Sequence, residues 1–337
     1  RLLTVFLWTL EVYGPVVGLK ARACEWNSEL GHCKNYFLRL FMLRSFLIGC
    51  VQSSQVALDT LIALPEVDLV GVYTAKKQGV NSDFLDVATH PRLGETPIYY
   101  AEDIDNVGLC KILQIHEVDI LWVIGWSKLI PEKVLSVPRI AALGYHPAAL
   151  PKNRGRHPII WALALGLEKT ASTLFILEPG ADSGPIVDQR GCEIGVDDYA
   201  QDVYAKLVSM LPLQITDVVQ NICTGKFAPR KQNENEATYW RKREPRDGVI
   251  DWRMSAASIQ NLVRALAHPY VGAEFLVGSV PIKVWRSDIV TDVIAEDIEP
   301  GKVLSVSQSG VLVKAGDGAI MLREFHGDHD FVAGEYL

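Results

Sequence analysis

His146 and Asp182 stand 36 positions apart near the middle of this 337-residue chain. The histidine closes an apolar run over 140–145 and leads into the loop Leu150-Pro151-Lys152-Asn153-Arg154-Gly155-Arg156. The aspartate sits in Gly180-Ala181-Asp182-Ser183-Gly184, just after a Thr-containing apolar run. Side chains at the ends of two strands can meet at one edge of a sheet. A proton-handling imidazole would then lie beside a carboxylate able to orient it and stabilise its charge. Such a pair suits the movement of an acyl or formyl group onto an amine.

The elements that would position this pair alternate. Apolar runs over 46–51, 67–73, 97–100, 118–124, 140–145, 172–177 and 186–194 read as strands. Helical spacing from residue 53 onward and over 106–116, 131–137, 158–167 and 197–222 reads as helices, with a further short helix over 82–88. The run 118–124 is almost continuously apolar, as in a strand covered on both faces. This alternation predicts an α/β fold with a doubly wound, mostly parallel sheet and right-handed crossovers. Ligands in such sheets bind at the carboxyl ends of strands. His146 lies at one such end, and Gly125-Trp126-Ser127-Lys128 follows another. The first strand leads into Cys50-Val51-Gln52-Ser53-Ser54 and not G-x-G-x-x-G, which counts against a nicotinamide enzyme. Residues 226–246 mix charge, Asn and two prolines and read as a linker. A helix over 254–267 and short strands over 273–277, 282–285, 302–306, 311–314 and 319–323 then predict a small OB-like β-barrel domain. The expected division is an extension over 1–41, the α/β domain over 42–225, the linker, and the barrel over 247–337.

With 49% hydrophobic and 22% charged residues, the chain can bury one large core or two moderate ones. A formal net charge of −7 argues against a general nucleic-acid binder. Cysteines at 24, 33, 50, 110, 192 and 223 show no C-x-x-C pairing, favouring free thiols in a reducing compartment over a disulfide frame or zinc site. No run approaches the roughly 18–20 apolar residues of a membrane span. Residues 2–10 resemble a short secretory h-region, with Ala21-Arg22-Ala23 as a small-residue cleavage site, yet the periodic pattern restarts at Met42-Leu43-Arg44-Ser45. A natural start at Met42 is the favoured reading, ahead of a family-specific extension or a signal. The tail His326-Gly327-Asp328-His329-Asp330 has metal-ligand residue types with no further ligand cluster near in sequence, so a frayed polar terminus is expected there and no metal.

The segment His146-Pro147-Ala148-Ala149-Leu150-Pro151-Lys152-Asn153-Arg154-Gly155, with Gly180-Ala181-Asp182-Ser183-Gly184, resembles the signature of the folate-dependent formyltransferase superfamily. That superfamily includes methionyl-tRNA, glycinamide ribonucleotide and nucleotide-sugar formyltransferases. Trp240-Arg241-Lys242-Arg243, Asp247-Gly248-Val249-Ile250-Asp251-Trp252 and Arg264-Ala265-Leu266-Ala267-His268-Pro269-Tyr270 resemble the second domain of its longer members. The resemblance implies 10-formyltetrahydrofolate as formyl donor and no metal. It makes His146 the residue that polarises the formyl carbonyl or takes the amine proton, with Asp182 orienting it. It puts Trp126-Ser127-Lys128-Leu129-Ile130 at the loop whose backbone pairs with the pterin ring, Trp126 being pocket or core, and Glu178, Gly180 and Ala181 on the same wall. Asn153, Arg154, Arg156 and His157 would face an anionic acceptor or the folate glutamate, or would staple their own loop through Arg–carbonyl bonds. Pro158 fits the first helical position, where His157 would cap.

One position departs from the family pattern. Relatives carry Asn two residues before the histidine, with its amide helping to hold the formyl oxygen; here that residue is Gly144. Strand alternation puts 144 and 146 on one face and Tyr145 on the other. The loss of one such donor typically costs roughly 2.7–4 kcal/mol of transition-state stabilisation. Ser127, Asn153 or His157 would have to replace it; otherwise the chain is slow, does different chemistry or only binds folate. Residues 233–337 carry 11 Lys/Arg against 16 Asp/Glu, with only Arg241, Lys242, Arg243 and Arg246 clustered. That is the wrong sign for gripping tRNA phosphates. The expected acceptor is therefore a small anionic amine, foremost a nucleotide-linked amino sugar, with methionyl-tRNA as the alternative. A cytoplasmic protein without membrane partners, compatible with a homodimer, completes the expectation.

Overall fold

The computed structural model describes residues 42–76, 84–291 and 297–337, together with strands β1 (Val5–Tyr13) and β2 (Val16–Cys24), which pair antiparallel as a sheet of their own. The expected helix over 82–88 begins outside the described residues. Its described part is a bridge at Phe84 and a single 3-10 turn, Val87–Thr89, in which Ala88 N–H donates to the Asp86 carboxylate at 3.0 Å.

The central sheet contains β3 (Leu43–Ile48), β4 (Val67–Thr74), β5 (Ile98–Tyr100), β6 (Ile120–Val123) and β7 (Ala141–His146), all parallel. A two-residue strand, β8 (Arg154–Gly155), lies apart from it. β9 (Lys169–Ile176) and β10 (Ile186–Glu193) extend the sheet antiparallel beyond β7, giving the order β10-β9-β7-β6-β3-β4-β5. Successive strands are added outward on one side from β3 through β4 to β5 and on the other from β6 to β7, so the crevice at the carboxyl ends of β3 and β6 is the switch point of this doubly wound arrangement.

Period-two alternation buries both faces of the strands. Leu47, Trp122 and Leu143 join one core with helices α1 (Gln52–Ala63) and α5 (Ala200–Cys223). Phe46, Ile48, Leu121 and Val123 face the other core, with α2 (Asn106–Ile115) and the short α3 (Glu132–Leu135). Leu58, Leu61, Leu109 and Leu113 are fully buried at these contacts, each contributing about 1.5–3 kcal/mol by leaving water. α2 starts where Asp105 accepts a bond from Gly108 N–H at 2.8 Å. Helix α4 (Pro158–Ala164) follows the His146 loop and has Pro158 in its first turn, as expected.

The C-terminal domain is an open antiparallel sheet of β12 (Ala273–Val277), β13 (Val280–Val290), β14 (Val303–Ser307), β15 (Gly310–Lys314) and β16 (Ala319–His326), in the order β12-β13-β16-β15-β14. Helix α6 (Ala256–Leu266), capped by Ser255, packs on this sheet and against α4 of the first domain. Its Arg264 is buried and donates to the Asp198 and Gly195 carbonyls at 2.7 and 2.9 Å, joining the two domains.

One expectation gains detail and one is corrected. The 226–246 linker lies along the first domain. Arg230 bridges Ile186, and β11 (Tyr239–Trp240) pairs in parallel with β8, because the polar residues here find buried partners on the first domain. The C-terminal tail is tied and not frayed: His329 pairs with Glu335 at 3.0 Å, and Leu337 N–H donates to the Gly301 carbonyl at 3.0 Å. Among the described residues Cys110, Cys192 and Cys223 are free thiols, no group of three or more metal-ligating side chains converges, and no helix is long and apolar enough to cross a membrane.

Candidate active site

His146 ends β7 with its side chain buried, 5% exposed, and two loops converge on its ring. Nε2 lies 2.8 Å from the Asn153 carbonyl oxygen. A carbonyl can only accept, so this contact puts the ring hydrogen on Nε2. Nδ1 faces the Asp182 carboxylate, with Oδ2 at 3.6 Å. That distance exceeds a direct hydrogen bond, leaving Nδ1 without a hydrogen-bond partner in this pair. Asp182 is itself held, since its Oδ2 accepts from Gly155 N–H at 2.8 Å.

The loops reach this geometry through left-handed backbone. Asn153, His157 and Asp182 have φ of 64°, 56° and 53°. Asn, His and Asp tolerate that region better than other non-glycine types, though a cost remains, and such outliers gather where a loop must present a side chain. Gly155, at φ 104°, could not be replaced: an added Cβ would sit 2.3 Å from the Trp240 carbonyl oxygen. Gly184 is equally constrained, its Cβ position being 1.8 Å from the Ile176 carbonyl oxygen.

The other expected residues divide. Asn153 touches the histidine and is fixed from outside by Thr238, whose Oγ1 accepts from Asn153 N–H at 2.8 Å. Exposed Arg156 donates to the Ser127 carbonyl at 3.0 Å, linking the 153–157 loop to the 126–130 loop. Trp126 is half-buried with its edge on Tyr73, ring centroids 5.6 Å apart, and Ile130 packs on the same core; Lys128 lies over the Trp126 ring. Leu129 is 88% exposed at the loop tip. Glu178, Gly180 and Ala181 are exposed on the segment leading to Asp182. His157 is half-buried, and burial, then Arg156, Arg243 and Lys242, holds its pKa below the ordinary histidine value.

Arg154 requires a correction. It was expected to face an anionic acceptor or the folate glutamate, or to staple its own loop through Arg–carbonyl bonds; its side chain is instead fully buried and bonded to side chains of the 226–246 segment. It donates to both carboxylate oxygens of Glu234 at 2.7 and 2.9 Å, to Gln232 Oε1 at 2.8 and 3.1 Å, and to Tyr239 Oη at 2.6 Å. All of its nitrogens are occupied. Hydrogen bonding to Arg154 holds the Glu234 carboxyl below its usual range.

Gly144 has its own steric reason. A Cβ built there would lie 2.6 Å from Leu177 Cδ2 and 3.0 Å from Phe175 Cε1, so two apolar side chains fill the space above this position. Gly144, Phe175 and Leu177 carry no side-chain hydrogen-bond donor. Of the three substitutes, Asn153 meets His146, though through its backbone carbonyl; its side-chain oxygen accepts from Thr238 Oγ1 at 3.4 Å. Sequence reasoning missed the contributions of the Gly155 N–H, Thr238 and Gln232. The first is a backbone group, and the other two sit in polar sequence with no motif to mark them.

Comparison with known proteins agrees with this architecture. The family profile described as formyl transferase matches residues 66–218, and that of the formyl transferase C-terminal domain matches 242–330. Methionyl-tRNA formyltransferase of Pseudoalteromonas translucida (strain TAC 125) is 27% identical over 266 residues, covering 77% of this chain and 82% of that protein. The N-formyltransferase from Helicobacter canadensis, solved with folinic acid and dTDP-3-aminofucose, superposes with a TM-score of 0.64 at 17% identity, over 84% of this chain and 99% of that one. HypX from Aquifex aeolicus, solved with tetrahydrofolic acid, gives 0.61 at 16% identity over 85% of this chain, which spans only 44% of HypX. With both of its domains matched, the chain belongs to the formyl transferase family.

Proposed function

We infer that this chain transfers the formyl group of 10-formyltetrahydrofolate to the primary amine of a small anionic acceptor, foremost an amino sugar carried on a nucleotide. The observation that carries the reading is the His146–Asp182 arrangement, with Nδ1 unoccupied and aimed at an anchored carboxylate. His146 takes a proton from the attacking amine at Nδ1, and Asp182 stabilises the imidazolium so formed. The same proton passes to the departing donor nitrogen as the new C–N bond forms and the old one breaks. Asn153, on the loop whose backbone carbonyl holds the His146 ring, is our choice for the side-chain amide that holds the formyl oxygen, since the position above Gly144 is filled. The donor's pterin would lie along the Trp126–Ile130 loop.

The acceptor class rests on charge. The clustered cations are largely committed: Arg241 pairs with Asp247 at 2.5 Å, Arg246 pairs with Glu244 at 3.0 Å, and Arg241 and Arg243 stack on Trp161. Few remain for a tRNA arm, whereas Arg156 and Lys242 near His157 suit a compact phosphate. The dTDP-3-aminofucose complex of the Helicobacter canadensis enzyme supports this reading. Methionyl-tRNA stays as the second reading because the Pseudoalteromonas relative is matched over 82% of its length. A reduced-folate enzyme of this kind belongs in the reducing cytoplasm. The test is release of tetrahydrofolate from 10-formyltetrahydrofolate by purified chain given nucleotide-linked amino sugars or methionyl-tRNA. Formylation of the tRNA alone defeats the sugar reading. Folate binding without turnover on either acceptor marks a binding protein.

A further inference from the structure

We propose that Gln232, in the segment between the two domains, is a positioning residue for the His146–Asp182 pair, set in place by the buried Arg154. This rests on the formyl-transfer reading for its kinetic consequence and on hydrogen-bond geometry alone for its structural one.

Asp182 combines a left-handed backbone, φ 53°, with an exposed approach through Gly180 and Ala181, so its loop needs outside support to aim the carboxylate. Gln232 supplies that support. Its Nε2 donates to the Asp182 carbonyl at 2.8 Å and to the Gly184 carbonyl at 2.6 Å, clasping the turn on both sides of Ser183. Its Oε1 accepts from Arg154 Nε and Nη2 at 3.1 and 2.8 Å. The amide can take only one orientation here. Guanidinium nitrogens cannot accept and carbonyl oxygens cannot donate, so the oxygen must face Arg154 and the nitrogen must face the turn. Arg154 is locked in turn by Glu234 and Tyr239, and the next residue, Gly155, donates its N–H to Asp182 Oδ2. The Asp182 carbonyl and carboxylate are thus gripped from two sides by one connected assembly. This gives Arg154 a role behind the site in place of substrate contact.

Gln232→Glu is the discriminating variant. It keeps size and keeps, or strengthens, the contact with Arg154, but sets an oxygen that cannot donate against two carbonyl oxygens. The full-length protein is compared with the variant by amide hydrogen exchange, thermal melting and steady-state kinetics. Exchange of the Gly155 N–H should quicken at least about tenfold, while the Arg154 N–H, bonded to the Thr238 carbonyl at 2.9 Å, stays protected. kcat should fall roughly 10–100-fold, with the donor KM within about twofold and the melting temperature nearly unchanged, as for a loss of alignment at the reacting centre. Unchanged Gly155 exchange overturns the proposal, as does an unchanged kcat where the wild type turns over. Quickened Gly155 exchange in a wild-type background that formylates no acceptor would instead support the positioning role and defeat the formyl-transfer reading.

Discussion

Gly144→Ala and Leu177→Ala, made singly and together, test whether the strand face beside His146 is closed by packing. The Cβ added at position 144 would lie 2.6 Å from Leu177 Cδ2, whereas carbon contacts are favourable only near 3.5–4.0 Å. Leu177 must retreat by about 1 Å, and overpacking of this kind costs roughly 1–3 kcal/mol. Leu177 is half-buried, so its own truncation should cost less than the 2–5 kcal/mol of a fully buried leucine, about 1–2 kcal/mol. Independent effects would add. If Leu177 holds the space, the double variant should be little worse than Leu177→Ala alone, a favourable coupling of about 1–3 kcal/mol. Urea unfolding of the four proteins gives this number directly. Additivity within about 0.5 kcal/mol would refute the claim that Leu177 fills the position and would reopen it to a polar donor.

Other outcomes follow from the same geometry. Asn153→Ala should lower kcat roughly 10²–10³-fold with little change in donor KM, the loss expected for one donor at a developing oxyanion; an unchanged kcat removes Asn153 from that role. Arg154→Met should destabilise the protein by about 3 kcal/mol, between the worth of an exposed ion pair and the cost of breaking a buried one, because the arginine end is dry while Glu234 is 65% exposed. A melting temperature within about 2 °C of wild type contradicts it. His157, its pKa depressed in the folded state below the unfolded value of 6.5, binds a proton more weakly when folded, so stability should fall as pH drops through that value. His157→Asn, which tolerates the same left-handed backbone, should flatten that acid-side loss, as read from urea midpoints on either side of the unfolded value.

Much of this molecule is legible in the sequence because its strands and helices carry strong periodicity. The alternation Phe46-Leu47-Ile48 and the unbroken 120–123 run both mark a sheet buried on two faces, and both lie where expected. His146 and Asp182 could be paired in advance because each follows an apolar strand. What could not be read is the use of polar residues without periodicity. Arg154 looks like a ligand-binding cation in its loop; only the fold shows that Glu234 and Gln232, about 80 positions later, enclose it. The 226–246 stretch has a linker's composition yet forms a wall behind the site, since hydrogen-bond partners distant in sequence leave no local pattern. The space above Gly144 is filled from β9 and the residue after it, and a missing side chain says nothing about what replaces it.

The most direct measurement is single-turnover formyl transfer at saturating 10-formyltetrahydrofolate and the best acceptor, for wild type and His146→Ala. A general base at Nδ1 predicts a rate loss of about 10²–10⁴ in the variant, with folate still bound at near wild-type affinity. Formyl transfer at the full rate without the imidazole would contradict the account at its centre.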